Sequence, residues 1–267
     1  CDYTKEEKHI LKACIEYLVA LTRDTKFEGK SIIKFHVLQP NQNPNFNQEK
    51  FKRGNINFGL AHGMLGPLIA LAKAHAKGLK DGIEKVYHLY EVFQVVNEEK
   101  IPCWPGPMTV EEYWNGTCNP ENLHISSSWC YGNAGVMRGL QKVAGYMGWK
   151  EKEQAHVETM IRFFSQNIKT YDLYSPSLCH GFSSLVAIQM CAYSSYRNPK
   201  LLTNLERHIQ NMIAGYRKNN ENELNLTDIR NKSILIEGHL KDLSILTGSV
   251  GIAITLLSLK RKTKTGK

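Results

Sequence analysis

No stretch of this 267-residue chain is apolar for long enough to cross a lipid bilayer. The best candidate, residues 248–259, is too short and is interrupted by Ser and Thr. No basic-then-apolar leader opens the sequence, so nothing in it argues for secretion. Strand signals are scarce too: no alternating apolar run and no Asn-Gly hairpin stands out. The seven cysteines (1, 14, 103, 118, 130, 179 and 191) are odd in number and unevenly spaced. That pattern makes a poor disulfide framework and fits a reducing cytoplasm. Acidic residues are the minority charge, 25 against 34 Lys and Arg, which leaves a net +9 suited to acidic partners. Part of the excess is a solvated tail, Lys260-Arg261-Lys262 with Lys264 and Lys267. The other positive charges lack the aromatic interleaving of a single-strand binder, so no nucleic-acid partner is expected.

Helical periodicity is what the chain has in quantity. Ile10, Leu11, Cys14, Tyr17, Leu18 and Leu21 recur at three- and four-residue steps, one apolar face of a helix. Ile83, Val86, Tyr87, Tyr90 and Phe93 repeat the pattern, as do Val157, Met160, Ile161, Phe164 and Ile168. Leu201, Leu205, Ile209, Met212 and Tyr216 form a fourth set. The fold class is therefore all-α. Residues 39–57, rich in Asn, Gln and Pro, read as an exposed loop. Residues 101–129 read as a long irregular connection, of a length that tends to carry function.

A repeat lies beneath the helices. A Gly-x-x-Gly turn opening an apolar helix occurs at Gly63/Gly66, Gly132/Gly135 and Gly248/Gly251, with a degenerate copy at Gly181/Ser184. The intervals accommodate a helical hairpin each. The early turns carry reactive side chains just ahead of the first Gly: His62, then Cys130-Tyr131, then Cys179-His180. If the repeats are related by rotation about an axis, these turns converge at one end of a ring. Two thiolates and an imidazole are a suitable shell for Zn²⁺ with a fourth position left open. A thiol bound in that position loses its proton yet stays electron-rich. The alternatives at this stage are that the cysteines are small buried hydrophobes, or that Cys103 and Cys118 of the long loop serve as ligands instead. Cys1, Cys14 and Cys191 read as packing residues.

The runs Gly59-Leu60-Ala61-His62-Gly63, Ser128-Trp129-Cys130-Tyr131-Gly132 and Leu178-Cys179-His180-Gly181 resemble the signature turns of the LanC lanthionine synthetase cyclases. The Trp104-Pro105 pair and the closing turn at residues 244–251 are similar to that family as well. The resemblance implies an α/α toroid of helical hairpins around a zinc ion held by Cys130, Cys179 and His180. It implies addition of peptide cysteine thiols to dehydroalanine or dehydrobutyrine, forming thioether rings in lantibiotic biosynthesis. His62 matches the residue proposed for the accompanying proton chemistry, and Tyr131 is placed to assist by hydrogen bonding or to wall the pocket. The implied partners are a dehydrated lantibiotic precursor peptide, a dehydratase and an exporter, in a cytoplasmic complex at the inner face of the membrane.

Three departures from the family pattern accompany these matches. Ser126 stands where family members carry Arg, and Arg138 is not an obvious replacement. Ser184 replaces a repeat Gly. The family's Tyr-Asp motif falls upstream of Cys1, and neither Asp2 nor Asp24 matches it. The chain thus reads as a single LanC-like domain over residues 1–267, truncated at its N-terminus, in which an incomplete ring would leave two apolar faces open. A second reading is a non-catalytic zinc-binding module that recruits a peptide or partner enzyme. A third, an α/α-toroid glycosidase, needs paired carboxylates, for which Glu111-Glu112 is the nearest candidate.

Overall fold

Where apolar residues recur at three- and four-residue steps, the chain is helical. The computed structural model describes residues 3–44, 47–74, 79–123, 126–214, 216–218, 224–226 and 243–264; Cys1, Asp2 and Lys267 lie outside the described residues. Contacts divide the chain into two units, Cys1–His124 with Gly139–Gln154, and Ile125–Arg138 with Ala155–Lys267.

The first unit contains α1 (Lys5–Leu21), α2 (Leu65–Ala74), α3 (Lys80–Val92), α4 (Val110–Asn115) and parts of α5 (Asn133–Met147) and α6 (Lys150–Phe164). A reciprocal capping box starts α1: the Glu7 N–H donates to the Thr4 hydroxyl, and the Thr4 N–H donates to the Glu7 carboxylate. No residue of α1 is buried, and Ile10 and Tyr17 are 55% and 66% exposed. Of its apolar stripe, Ile10, Leu11, Cys14 and Tyr17 are exposed, while Leu18 and Leu21 are half-buried. By contrast, α2 buries Leu65, Leu68, Leu71 and Ala72, and α3 buries Ile83, Val86, Tyr87 and Tyr90, the stripe its spacing implies.

Strands appear where the sequence offers no alternating pattern. β1 (Asp24–Phe27) and β2 (Lys30–Ile33) form an antiparallel hairpin. Its two-residue loop, Glu28-Gly29, has positive φ at both positions (49° and 78°), as a type I′ turn requires. β3 (Asn55–Asn57) pairs with β6 (Pro107–Thr109), and β4 (Val95–Val96) pairs with β5 (Pro102–Cys103). The long connection at 101–129 is thus more ordered than expected. It also holds α4, capped reciprocally by Thr109 and Glu112. The connection is tied to α3 through Trp104, whose buried indole donates to the Tyr90 carbonyl (2.8 Å). Tyr90 in turn donates its hydroxyl to the Phe58 carbonyl (2.9 Å).

The second unit holds α7 (Phe182–Tyr196), α8 (Leu205–Ala214) and α9 (Ser249–Lys264), with a short antiparallel pair β7 (Tyr216–Lys218) and β8 (Leu224–Leu226). α7 is buried over most of its length and packs against both α8 and α9. Phe163, Phe164, Tyr171, Leu185 and Met212 fill the core of this unit. One apolar stripe ends sooner, and another starts later, than its spacing suggests. Ile168 falls in a 3-10 turn behind the Asn167 cap, and Leu201 in another behind Asn198-Pro199. α9 leaves Ile254, Leu256 and Leu257 exposed. No helix of the described residues is long and apolar enough to cross a membrane.

Candidate thiol site

The Gly-x-x-Gly repeat is a local backbone geometry. At Gly63, Gly132 and Gly181 an added Cβ would press into the carbonyl oxygen six residues upstream, on Asn57, Ser126 and Ser175 respectively. The second glycines repeat the relation: Gly135 lies against the Trp129 carbonyl and Gly251 against that of Ile245. Just past the first glycine the loop closes by a backbone bond, from the Met64 N–H to the Asn57 carbonyl (2.9 Å) and from the Phe182 N–H to the Ser175 carbonyl (2.8 Å). Only a residue without a side chain admits so close an approach. This common geometry makes Ala61, Cys130, Cys179 and Leu246 equivalent positions, and likewise His62, Tyr131, His180 and Thr247.

Within the second unit the structure brings the two equivalent cysteines together. Cys130 and Cys179 are hydrogen-bonded through their sulfurs. The Cys179 thiol, as donor, pulls the Cys130 thiol below its ordinary range; the Ser128 hydroxyl (3.4 Å), the charge of His180 and the Tyr131 backbone N–H act in the same direction, against burial. The same hydrogen bond to Cys130 pushes the Cys179 thiol up, with burial and the Cys130 charge adding to the shift. The contact thus favours the charged form on Cys130 over that on Cys179. Cys130 is buried and Cys179 is half-buried, so the pair opens toward solvent on the Cys179 side. The Cys179 N–H donates to the Leu246 carbonyl (2.8 Å), tying this turn to the closing one.

His180 is exposed on the same turn as Cys179. Among the described residues no group of three or more His, Cys, Asp or Glu side chains is arranged to hold a metal ion. Two of the three anticipated zinc ligands thus meet, and the third stands next in sequence with its charge felt at Cys130. By type, two thiols and an imidazole next in sequence are donors that a thiophilic divalent cation takes, although the three side chains are not gathered around one point. Tyr131 flanks Cys130 and is half-buried; His62, at the equivalent position of the first unit, is exposed.

The other candidates serve structural roles. Cys103 is buried with its thiol toward the Ile101 carbonyl, and Cys118 is raised to about 11 by burial and the nearby Glu112 charge. Neither is in the second unit. Arg138 does not stand in for the family arginine: its guanidinium donates to the Cys191 carbonyl (3.2 Å) and the Ser195 hydroxyl (2.8 Å) on α7. Glu111 pairs with Arg53 (2.9 Å), while Glu112 caps α4 and accepts from the Asn119 N–H and the Asn122 amide. Both carboxylates are committed to structure, which leaves the glycosidase reading without its acid–base pair. The residue whose part the sequence understates is Ser184. Its fully buried Oγ accepts from the Trp129 N–H (2.7 Å), beside Cys130.

A family model described as "Lanthionine synthetase C-like protein" matches residues 1–266. The chain belongs to that family. Nisin biosynthesis protein NisC of Lactococcus lactis subsp. lactis is 27% identical over 179 residues, 65% of this chain and 41% of that protein. A solved structure of a nisin cyclase matches with a TM-score of 0.69 at 21% identity, covering 81% of this chain and 54% of its own. The likeness places the fold in the all-α, α/α-toroid class that the family resemblance implied. The matched segments span about half the length of these relatives or less.

Proposed function

We propose that this chain is a lanthionine cyclase unit, acting on dehydrated lantibiotic precursor peptides to close thioether rings. The observation that carries the reading is the meeting of Cys130 and Cys179 across two repeat turns, with His180 alongside. The membership of the family and the names of its relatives, a nisin biosynthesis protein and a nisin cyclase, support it.

In this reading Cys130, Cys179 and His180 hold Zn²⁺. When bound, zinc supplies a Lewis-acidic fourth position at which a substrate thiol is deprotonated near neutral pH. The chain's own residues do the rest. Cys130, inclined to the thiolate by its contact with Cys179, and Cys179 itself would both serve as thiolates, so loading would release protons. The substrate sulfur then bonds to the β-carbon of a dehydroalanine or dehydrobutyrine, and the electron pair of the broken C=C π bond passes to the α-carbon as an enolate. His62 is assigned the proton that quenches that enolate, and Tyr131 orients the reacting groups. A dehydratase supplies the substrate and an exporter removes the product, in a cytoplasmic assembly at the membrane.

The test is elemental analysis of wild type beside a Cys130→Ala/Cys179→Ala variant, followed by incubation with a dehydrated precursor peptide. About one zinc per chain, lost in the variant, together with loss of free peptide thiols only in wild type, is the expected result. Wild-type protein that is helical and zinc-free would end the reading. A second reading is favoured by Ser126 and by the engagement of Arg138 elsewhere, which leave no arginine at the family position. In it the chain binds zinc and peptide without turnover, and peptide thiols persist although zinc is present.

A further inference from the structure

We infer that Ser184 is a positioning residue that uses its hydroxyl to hold the Cys130 turn against the Cys179 turn, so that the two sulfurs meet. The inference rests on the thiol-site reading proposed above but concerns only this chain's own atoms. At the equivalent place the other turns carry Gly66, Gly135 and Gly251. Here the side chain is present, fully buried, and reaches across to a different turn: the Trp129 N–H donates to Ser184 Oγ at 2.7 Å. Trp129 directly precedes Cys130, while Ser184 lies in the first turn of α7, five residues past Cys179. This bond therefore links the backbone on one side of the sulfur pair to the helix that anchors the other side.

Two other contacts of the Cys130 turn show why this link matters. The Ser127 N–H donates to the Tyr171 carbonyl (2.9 Å), which fixes the start of the turn. Ser128 Oγ lies against the Cys130 sulfur itself (3.4 Å) and is part of the pair's environment. The Trp129 amide, directly beside Cys130, bonds this turn to α7. Without an acceptor its N–H would seek another partner, turning the peptide that sets the direction of Cys130. Outer hydrogen bonds of this kind act by orienting ligands, and their loss typically costs about 10- to 100-fold in metal affinity. A serine in place of the repeat's glycine has a function on this account: it substitutes a cross-turn bond for a close backbone approach.

The experiment compares wild type with Ser184→Ala, Ser184→Gly and Ser184→Thr in the full chain, using two probes. Zinc affinity is measured by chelator competition, with Co²⁺ substitution recording the sulfur-to-metal absorption bands. Phenylarsine oxide, which bridges two adjacent thiols without needing an imidazole, reports on the sulfur pair alone. Circular dichroism confirms the fold of each variant. The Ala and Gly variants should lose about 10-fold or more in zinc affinity, show altered cobalt bands and capture the arsenical more weakly, while Thr retains wild-type behaviour. Gly, being the repeat's usual residue, keeps the test valid if Ala disturbs packing. Equal affinities and capture in wild type, Ala and Gly would overturn the inference, as would equal losses in all three variants. Arsenical capture by wild type without zinc binding would sink the zinc reading, leaving Ser184 to be judged by the arsenical. Failure of wild type to bind either probe would remove the sulfur pair and both proposals together.

Discussion

His208, on α8 in the second unit, is fully buried and its protonation state is set by its neighbours. The Gln189 amide nitrogen donates to the Leu201 and Thr203 carbonyls (2.8 Å each), so the amide oxygen is the acceptor that faces His208 Nδ1 (2.8 Å). Nδ1 must then carry the proton, and Nε2 holds a buried lone pair packed beside Tyr171. Burial, with the Arg207 charge, lowers the imidazole from its usual 6.5 to about 4. The unfolded chain therefore binds a proton more readily than the folded one between those values. Stability is fully present above pH 6.5 and is lost as the pH falls toward 4, by up to about 3 kcal/mol. Urea unfolding at pH 7 and pH 4.5 should show this slope in wild type and a smaller one in His208→Gln, whose amide can still donate to Gln189. An identical acid slope in both would show that His208 does not carry it. At the same scale, Tyr90→Phe removes the donor to the buried Phe58 carbonyl and should cost about 1–3 kcal/mol in urea unfolding at neutral pH.

Among the elements, the signature turn is the one whose sequence and geometry agree most closely. Because a Cβ on Gly132 would meet the backbone of Ser126 and Ser128, neither of which can swing aside, Gly132→Ala should destabilise by about 1–3 kcal/mol. Open space around Gly116 makes Gly116→Ala the control, with only the milder cost of its positive φ (64°). Thermal melts of the two variants check the ordering, and a smaller loss at Gly132 would refute the close-approach argument. Glycine spacing alone makes these turns legible in the sequence, and apolar stripes do the same for α3 and α6. What the sequence hides has identifiable causes. The β1–β2 hairpin announces itself by Glu28-Gly29 rather than Asn-Gly, and its strands bury adjacent Ile32 and Ile33, which breaks the alternation expected of a strand. α4 is concealed in a Pro-rich segment, although Thr109-x-x-Glu112 is a capping-box signature. The stripe of α1 is real, but periodicity reports an apolar face and not whether anything covers it. The two cysteines can be named from the sequence. Ser184 is visible there only as a missing glycine, because a hydrogen bond between turns 55 residues apart leaves no mark in local pattern.

For the whole molecule the question is where metal loading would be felt. Both sulfurs and His180 belong to the second unit, while the hairpin, Trp104, α3 and α4 belong to the first. A ligand that binds only the folded state stabilises it by about 2.7 kcal/mol at a hundredfold excess over its Kd. In the proposed reading that gain falls first on the elements that form the site. Hydrogen exchange with and without zinc should therefore slow at residues 128–135 and 177–184, where the turns close around Cys130 and Cys179. The amides of β1 and β2 should change little in comparison. Cys130→Ala/Cys179→Ala should abolish the zinc-dependent protection while retaining the apo pattern of the first unit. Protection that persists in this double variant would mean that zinc binds elsewhere on the chain, and the thiol pair would lose its claim to be the metal site. Protection that spreads evenly over both units and vanishes in the variant would keep the site but show that the two units unfold as one, because a ligand can raise local protection above its surroundings only where local opening precedes global unfolding.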